Sequence, residues 1–340
     1  MLKVTIGEHA IRIGPRFAVS FHRTLRIPDD GRTYPLPPGL GVFPIFNVED
    51  YAERVPPLWR QQGGAFIAMY QREALWLGFD AAPWKPNAVQ VAVGRINAIS
   101  GEEHGEGLRP DPLNYIVCPD QPWLDGVKTG PGSVRQFVAM PLGQGYTVEA
   151  ALRGTEVFGG IQITVFEPKP GRFPDQPPIE AATGPQRLAG ARPARTATQT
   201  MGLGAGGVMK QKIYSDAYGI DTWDLENYGR VAIHIVNSEQ FSDITGIEPP
   251  PPPIDAQTYT AHGLPWFDLY DEARADLPQS ERLIGVKTIA ERDAEQGDAT
   301  AGNASVDIAE SQIEKLRPEA LGAPDRPGRS ESIKRSRKRK

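Results

Sequence analysis

Apolar and polar residues alternate with a period of two through most of the first half of the chain, and the pattern returns after a gap in the middle. LKVTI, HAIRI and RFAVSFHRTLRI read as three strands before residue 28. In the last of these, Phe17, Val19, Phe21, Leu25 and Ile27 share one face, and Ala18, Ser20, His22, Thr24 and Arg26 share the other. That pattern predicts a core face and a solvated face. Asp30-Gly31 suits a tight hairpin, so YPLPPGLGVFPIF is expected to return along the same sheet edge, where its prolines are tolerated. From Asn47 to Gln62 a short helix opens at Glu49 and is stopped by Pro56-Pro57. Ala65–Tyr70, Ala74–Phe79 and Ala88–Ile96 are further strands, followed by the polar segment SGEEHGEGLRPDPLN.

The densest patterning lies between Tyr115 and Glu167. Tyr115–Val117, Val134–Met140, Tyr146–Ala151 and Ile161–Phe166 alternate with Asp-Gly, Gly-Pro-Gly, Gly-Gln-Gly and Gly-Gly breakers, which predicts a meander of strands. Residues 168–200 lose apolar periodicity and read as a Pro/Gly/Ala-rich linker or surface excursion. GGVMKQKIY and GRVAIHIVNS restore the strand pattern, the second with Val231, Ile233 and Ile235 set against Ala232, His234 and Val236. Pro249 to Pro253 form a stiff spacer, flanked by Glu248 and Asp255 rather than by basic residues. TAHGLPWFDLYDEARADL is expected to hold one short helix that docks Trp266, Phe267, Leu269 and Tyr270. Beyond it one helix is expected at Ser305–Leu316, with the final ~20 residues disordered.

These elements predict a mainly β protein, an antiparallel sandwich or barrel-like unit with few short helices and a disordered C-terminal tail. Residues 1–167 form its β-rich body, 201–276 complete the same core because they are too short to bury one alone, and 277–340 are a largely disordered tail, acidic and then basic. Composition agrees, since 33 Pro and 36 Gly in 340 residues leave little room for a helical bundle.

Charge narrows the partners. The terminal KRSRKRK holds six of the 37 Lys+Arg, so the remainder sets 31 basic against 42 acidic residues. An acidic body repels a phosphate backbone, and nucleic acid is expected only through the tail. Cys118 has no partner for an internal disulfide, and MLKVTIGEHAIRIGPRF lacks an apolar stretch of signal-peptide length, so a reducing, cytoplasmic setting is expected. No run is long enough to span a membrane as a helix, and the Asn303-Ala304-Ser305 sequon carries little weight in that setting.

Catalytic motifs are incomplete. Met201–Gly207 is glycine-rich, but it lacks the preceding strand and following helix of a dinucleotide site and the Lys-Ser/Thr of a phosphate loop, and it reads as a flexible turn. Cys118 could be a nucleophile with His22 or His234 as base, yet it ends an apolar run beside Asp120, a setting that suits a small buried residue better. Glu102, Glu103, His104 and Glu106 could ligate a metal from one loop, but a single loop with no partner site reads as solvated; no metal or cofactor is called for. G-x-S-x-G is absent, and Ser100 and Ser133 read as turn residues.

One recurrence stands out: Trp123-Leu-Asp125, Trp223-Asp224 and Trp266-Phe-Asp268. Indole faces beside carboxylates suit a polyhydroxylated ligand, with Lys128 and Arg135 as added donors, although a Trp that anchors a loop and an Asp that caps the turn would look the same. Three readings remain. The first is a binding or assembly protein, engaging a polyhydroxylated small molecule or a protein partner, or a second copy through its edge strands. The second is a carbohydrate-directed enzyme using two of Asp120, Asp125, Asp224 and Asp268. The third is a regulatory factor whose basic tail contacts nucleic acid or an anionic surface.

Overall fold

The computed structural model describes residues 1–105, 107–176, 200–269, 274–298 and 303–316. The chain opens with β1 (Val4–Ile6), β2 (Ile11–Ile13) and β3 (Phe17–Thr24), then the short strands β4 (Thr33–Tyr34), β5 (Gly39–Val42) and β6 (Phe46–Asn47). A 3-10 turn and helix α1 (Pro57–Gln62) lead into β7 (Ala65–Met69), β8 (Ala74–Ala81), β9 (Asn87–Val93) and β10 (Ile96–Asn97). Next come β11 (Ile116–Cys118), β12 (Trp123–Leu124), β13 (Gly126–Gly130), β14 (Ser133–Pro141), helix α2 (Val148–Arg153) and β15 (Ile161–Pro168). After the gap, β16 (Thr200–Lys210) and β17 (Trp223–Asn237) are followed by α3 (Ser238–Thr245), α4 (Ala256–Ala261), β18 (Trp266–Leu269), α5 (Glu281–Ile284), α6 (Ile289–Gln296) and β19 (Ile313–Leu316).

The pairing is mostly antiparallel and falls into two halves. One half runs β5, β3, β8, β14, β16, β4, with Phe21 opposite Leu77, Phe137 opposite Leu75 and Ala139 opposite Leu203. The other runs β11, β9, β15, β17, β7, β6, with Val165 opposite Val89 and Gly229. Thr200 and Met201 of β16 pair with Val236 and Ile235 of β17, and the amide of Leu2 donates to Tyr228 O at 2.8 Å, so the halves join along two seams. Inward residues of both halves, among them Val19, Leu77, Phe137 and Leu203 from the first and Val91, Ile163, Ile233 and Ile67 from the second, form one buried core. The result is a closed, sandwich-like β unit carrying few short helices. Among the described residues, no helix is long and apolar enough to cross a membrane.

Outer faces are covered as well, which corrects the expected solvated side of β3. His22 stacks on Trp76 with ring centroids 3.9 Å apart, and Thr24 donates to Pro38 O at 2.9 Å. Val138 and Met140, on the outer side of β14, pack with Tyr146 and with Ile289 of α6. The proline run is not a free spacer either, because Tyr70 Oη and Arg23 Nη2 donate to Pro250 O and Pro251 O, both at 2.9 Å.

Several local expectations change. Tyr146–Ala151 is not a strand: the Thr147 hydroxyl accepts from the Ala150 amide at 3.0 Å and caps α2, which ends on the left-handed Gly154. Pro56-Pro57 ends the turn at Val48–Tyr51 but also starts α1, with Pro57 at its first position. WFDL forms β18 rather than a helix and pairs in parallel with β19, so the helix expected at Ser305–Leu316 is a short 3-10 turn and a strand. Trp266 and Phe267 are buried as expected, whereas Tyr270 lies outside the described residues. The start of a disordered tail at 277 is corrected too, since Leu283, Val286, Val306 and Leu316 all enter the core. Residues 317–340, and 177–199 of the expected linker, lie outside the described residues.

The glycine-rich run is the largest correction. Met201–Gly207 is the first part of β16, not a turn, and its glycines let other chain segments approach the sheet. A Cβ on Gly204 would stand 2.8 Å from Tyr146 O, and one on Gly207 would stand 2.2 Å from Pro28 O. Since backbone at Pro28 cannot swing aside as a side chain can, Gly207→Ala is expected to destabilise the fold by about 2–3 kcal/mol, read as a lowered urea midpoint.

Candidate functional site

The three Trp-Asp pairs do not meet in a cleft. Trp123 is 6% exposed and donates its Nε1–H to Asp125 at 2.7 Å, while the Asp125 amide donates to Gln211 Oε1. Trp223 starts β17, is 1% exposed, and donates to Asp216 at 2.9 Å in a separate apolar cluster with Tyr115 and Phe166. Trp266 is fully buried and donates to Thr260 Oγ1 at 3.0 Å. None of these rings has a face left for a ligand. The carboxylates are likewise dispersed: Asp120 pairs with Arg274, Asp268 with Lys210, and Asp224 accepts from the Glu226 amide. This leaves the paired-carboxylate enzyme without a geometric basis.

Lys128 and Arg135 have structural work. The Lys128 side chain is fully buried, with Nζ 2.6 and 2.7 Å from the two oxygens of Asp276, whose carboxylate also accepts from the amides of Gly132 and Ile213. Burial lowers the Lys128 pKa and the Asp276 charge opposes that shift. Arg135 donates to Val286 O at 2.7 Å. Both residues therefore fasten the 274–286 stretch to β13 and β14. Cys118 is buried, its Sγ 3.3 Å from Gln121 O, and burial pushes its thiol pKa up, the wrong direction for a nucleophile. Glu102 and Glu103 are ion-paired with Arg109 and Arg153, and Glu106 lies outside the described residues.

A cleft of about 840 Å³ opens elsewhere, on the outer face of β15 and β17. Two apolar caps cover the rest of that face. Val48, Trp59 and Phe241 close over Phe66, Ala68 and Val236 at one end, and Leu108 and Tyr115 close over Ala88 and Phe166 at the other. Between the caps the same face carries Gln90 on β9, Gln162 and Thr164 on β15, and Arg230 and Ala232 on β17, with Thr164 opposite both Gln90 and Arg230. Gln162, Thr164, Arg230 and Ala232 floor the cleft; Lys3 to Ile6 wall one side, Arg95, His104 and Gly105 another, and Asn47, Glu49, Gln62 and Gly64 an end.

Polar contacts fix this floor. The Gln162 side chain accepts from the Arg95 amide at 2.7 Å and donates to Gly159 O at 2.9 Å. His104 Nε2 lies 3.2 Å from Thr164 Oγ1. Gln90 Oε1 and His104 Nδ1 are buried and find no hydrogen-bond partner among the described residues. Unsatisfied polar atoms of this kind cost about 1–3 kcal/mol each, and here two of them belong to one strip of sheet and the loop over it. Burial, then the charges of Arg230 and Arg95, push the His104 pKa down to about 4, so its imidazole is neutral at pH 7. His234 lies under the other cap, stacked 4.7 Å from Trp59 and bonded to Gly63 O at 3.0 Å; burial takes its pKa to about 4 as well.

Sequence reasoning picked out His104, but as a metal ligand among glutamates, and it passed over Gln162, Thr164 and Arg230. Their signal was present as polar residues at the outward positions of two otherwise apolar strands.

Two outcomes are expected. Breaking the Lys128 pair with Asp276→Asn leaves a buried ammonium and should cost about 3–5 kcal/mol in urea unfolding, whereas Asp120→Asn at the surface should cost less than about 1 kcal/mol. For His104 and His234 the unfolded chain takes up a proton near pH 6.5, and the folded chain only near 4. Their contribution is therefore complete above pH 6.5 and is lost as the pH falls toward 4, by about 1 kcal/mol per group at pH 5.5. His104→Gln should flatten the fall of the urea midpoint between pH 7.5 and 5.5.

Comparison with known proteins finds no matching family model, no matching curated protein and no matching solved structure.

Proposed function

We propose that the chain is a binding protein whose cleft over β15 and β17 takes a small polar ligand. The observation that carries this reading is the interruption of an apolar-capped sheet face by a strip of Gln90, Gln162, Thr164 and Arg230. A strand face that only needed covering would continue the apolar pattern seen on either side of it. The size agrees, since small-molecule sites span roughly 300–1,000 Å³ and combine a few convergent polar groups with apolar walls, a role Val4 and Ile6 fill here.

A thermal-shift screen of polar metabolites against the full chain tests the reading. Compounds that raise the melting temperature are expected to lose their effect in Ala232→Trp, which fills the floor, and in Thr5→Trp, placed on the exposed wall. Shifts that persist undiminished in both variants, or no shift with any compound, overturn it.

A further inference from the structure

We propose that the five-proline run between α3 and α4 is a docking surface for a protein domain that reads polyproline II chain through an aromatic-lined groove with a basic rim. Sterics alone fix the conformation of the run. Each ring holds its own φ at about −65°, and every residue from Glu248 to Pro252 precedes a proline and is barred from the helical region, so the chain here is a polyproline II helix.

Exposure follows the three-residue turn of that helix. Pro250 and Pro253 share one ridge and are half-buried, as is Pro249 where the run begins. Pro251 and Pro252, on the other two ridges, are exposed, and so are Glu248 and Ile254, three residues to either side of Pro251. A groove that reads polyproline grips two ridges and leaves the third outside, and two are what this fold leaves open. The run is also held in place. Tyr70 Oη donates to Pro250 O and Arg23 Nη2 to Pro251 O, both at 2.9 Å. At its ends Gly246 closes α3 in a left-handed conformation, and the Asp255 side chain caps α4 by accepting from the Thr258 amide at 2.6 Å. Binding therefore costs little ordering entropy.

Apolar exposure marks the same place. Ile247 and Ile254 are two of the seven large apolar side chains exposed among the described residues, and they flank the prolines. A connection that only joined two helices would not gather Ile247, Pro251, Pro252 and Ile254 in water. Charge selects the partner. Glu248 and Asp255 bracket the prolines, and the Thr258 amide holds the Asp255 carboxyl below the usual carboxylate range, so it is ionised at neutral pH. Arg23, the cation bonded to the run, is already ion-paired with Glu73. An acidic bracket fits a basic rim and repels an acidic one. The surface is separate from the cleft, whose lining contains none of these residues.

Fluorescence anisotropy of two labelled, purified domains titrated with the full chain tests the proposal: an EVH1 domain, with an aromatic proline groove and a basic rim, and an SH3 domain, with an aromatic groove and an acidic rim. The EVH1 domain is expected to bind and the SH3 domain not. Pro251→Ala and Pro252→Ala in one chain are expected to weaken binding about tenfold or more, and Glu248→Gln about threefold with a shallower dependence on salt. Both variants keep the carbonyls that Tyr70 and Arg23 hold, and an unchanged urea midpoint verifies the fold. Absence of binding by the EVH1 domain, or binding indifferent to the proline variant, overturns the proposal. Binding by the SH3 domain alone overturns the charge assignment and the partner chemistry with it. Self-association of the chain that the proline variant abolishes, without binding by the EVH1 domain, makes the surface a contact between copies and overturns the proposal as well.

Discussion

The rest of the structure depends on the covering of its central strands on both faces. A strand buried on one side can be written with any polar residue on the other, but the central residues of β8, β9, β14, β15 and β17 have packed material above and below. Every outward side chain must then be apolar, hydrogen-bonded or in a cleft. Val138 and Met140 under Ile289 take the first solution, and Gln136, which bonds the backbone of Leu25 and Ile27, takes the second. Gln162, Thr164 and Arg230 combine the second with the third, each hydrogen-bonded and lining the cleft.

Covering a sheet twice requires the connections to lie flat, and carboxylates hold them there. Glu149 accepts from the amides of Val157, Phe158 and Gly159, while Glu156 accepts from Gly143, Gly145 and Thr147, so two side chains tie the turns on either side of α2. Asp293 of α6 receives both Arg72 nitrogens and the Tyr146 hydroxyl. Asp276 does the same for the chain between β18 and α5. An ionised carboxylate accepts several bonds at once, which makes it an economical partner for loops rich in unpaired amides.

This division explains what could be read from the sequence. Strands β1–β3, β7–β9, β14, β15 and β17 were legible because their inward residues alternate, and a core facing both halves enforces that alternation. The glycines of β16 hid the first part of a strand whose later residues were legible in GGVMKQKIY, because their spacing answers to Tyr146 and Pro28, which are remote in sequence. Helix α2 was hidden because its apolar residues mimic a strand over six positions, and the Thr147 cap and the Gly154 stop were the local signs against it. The Trp-Asp recurrence was real as chemistry but local in effect. Trp123 bonds the Asp125 beside it, whereas Trp223 and Trp266 bond Asp216 and Thr260 instead of their neighbouring aspartates.

The same constraint shapes the electrostatics of the cleft. His104 sits where burial and two arginines keep it neutral, so it adds a hydrogen-bonding edge without adding charge. Were it charged, a buried imidazolium would face the charges of Arg95 and Arg230, the same charges that help to lower its pKa. With the imidazole neutral, the repulsion is confined to side chains that reach water, where it is screened to a fraction of its interior strength.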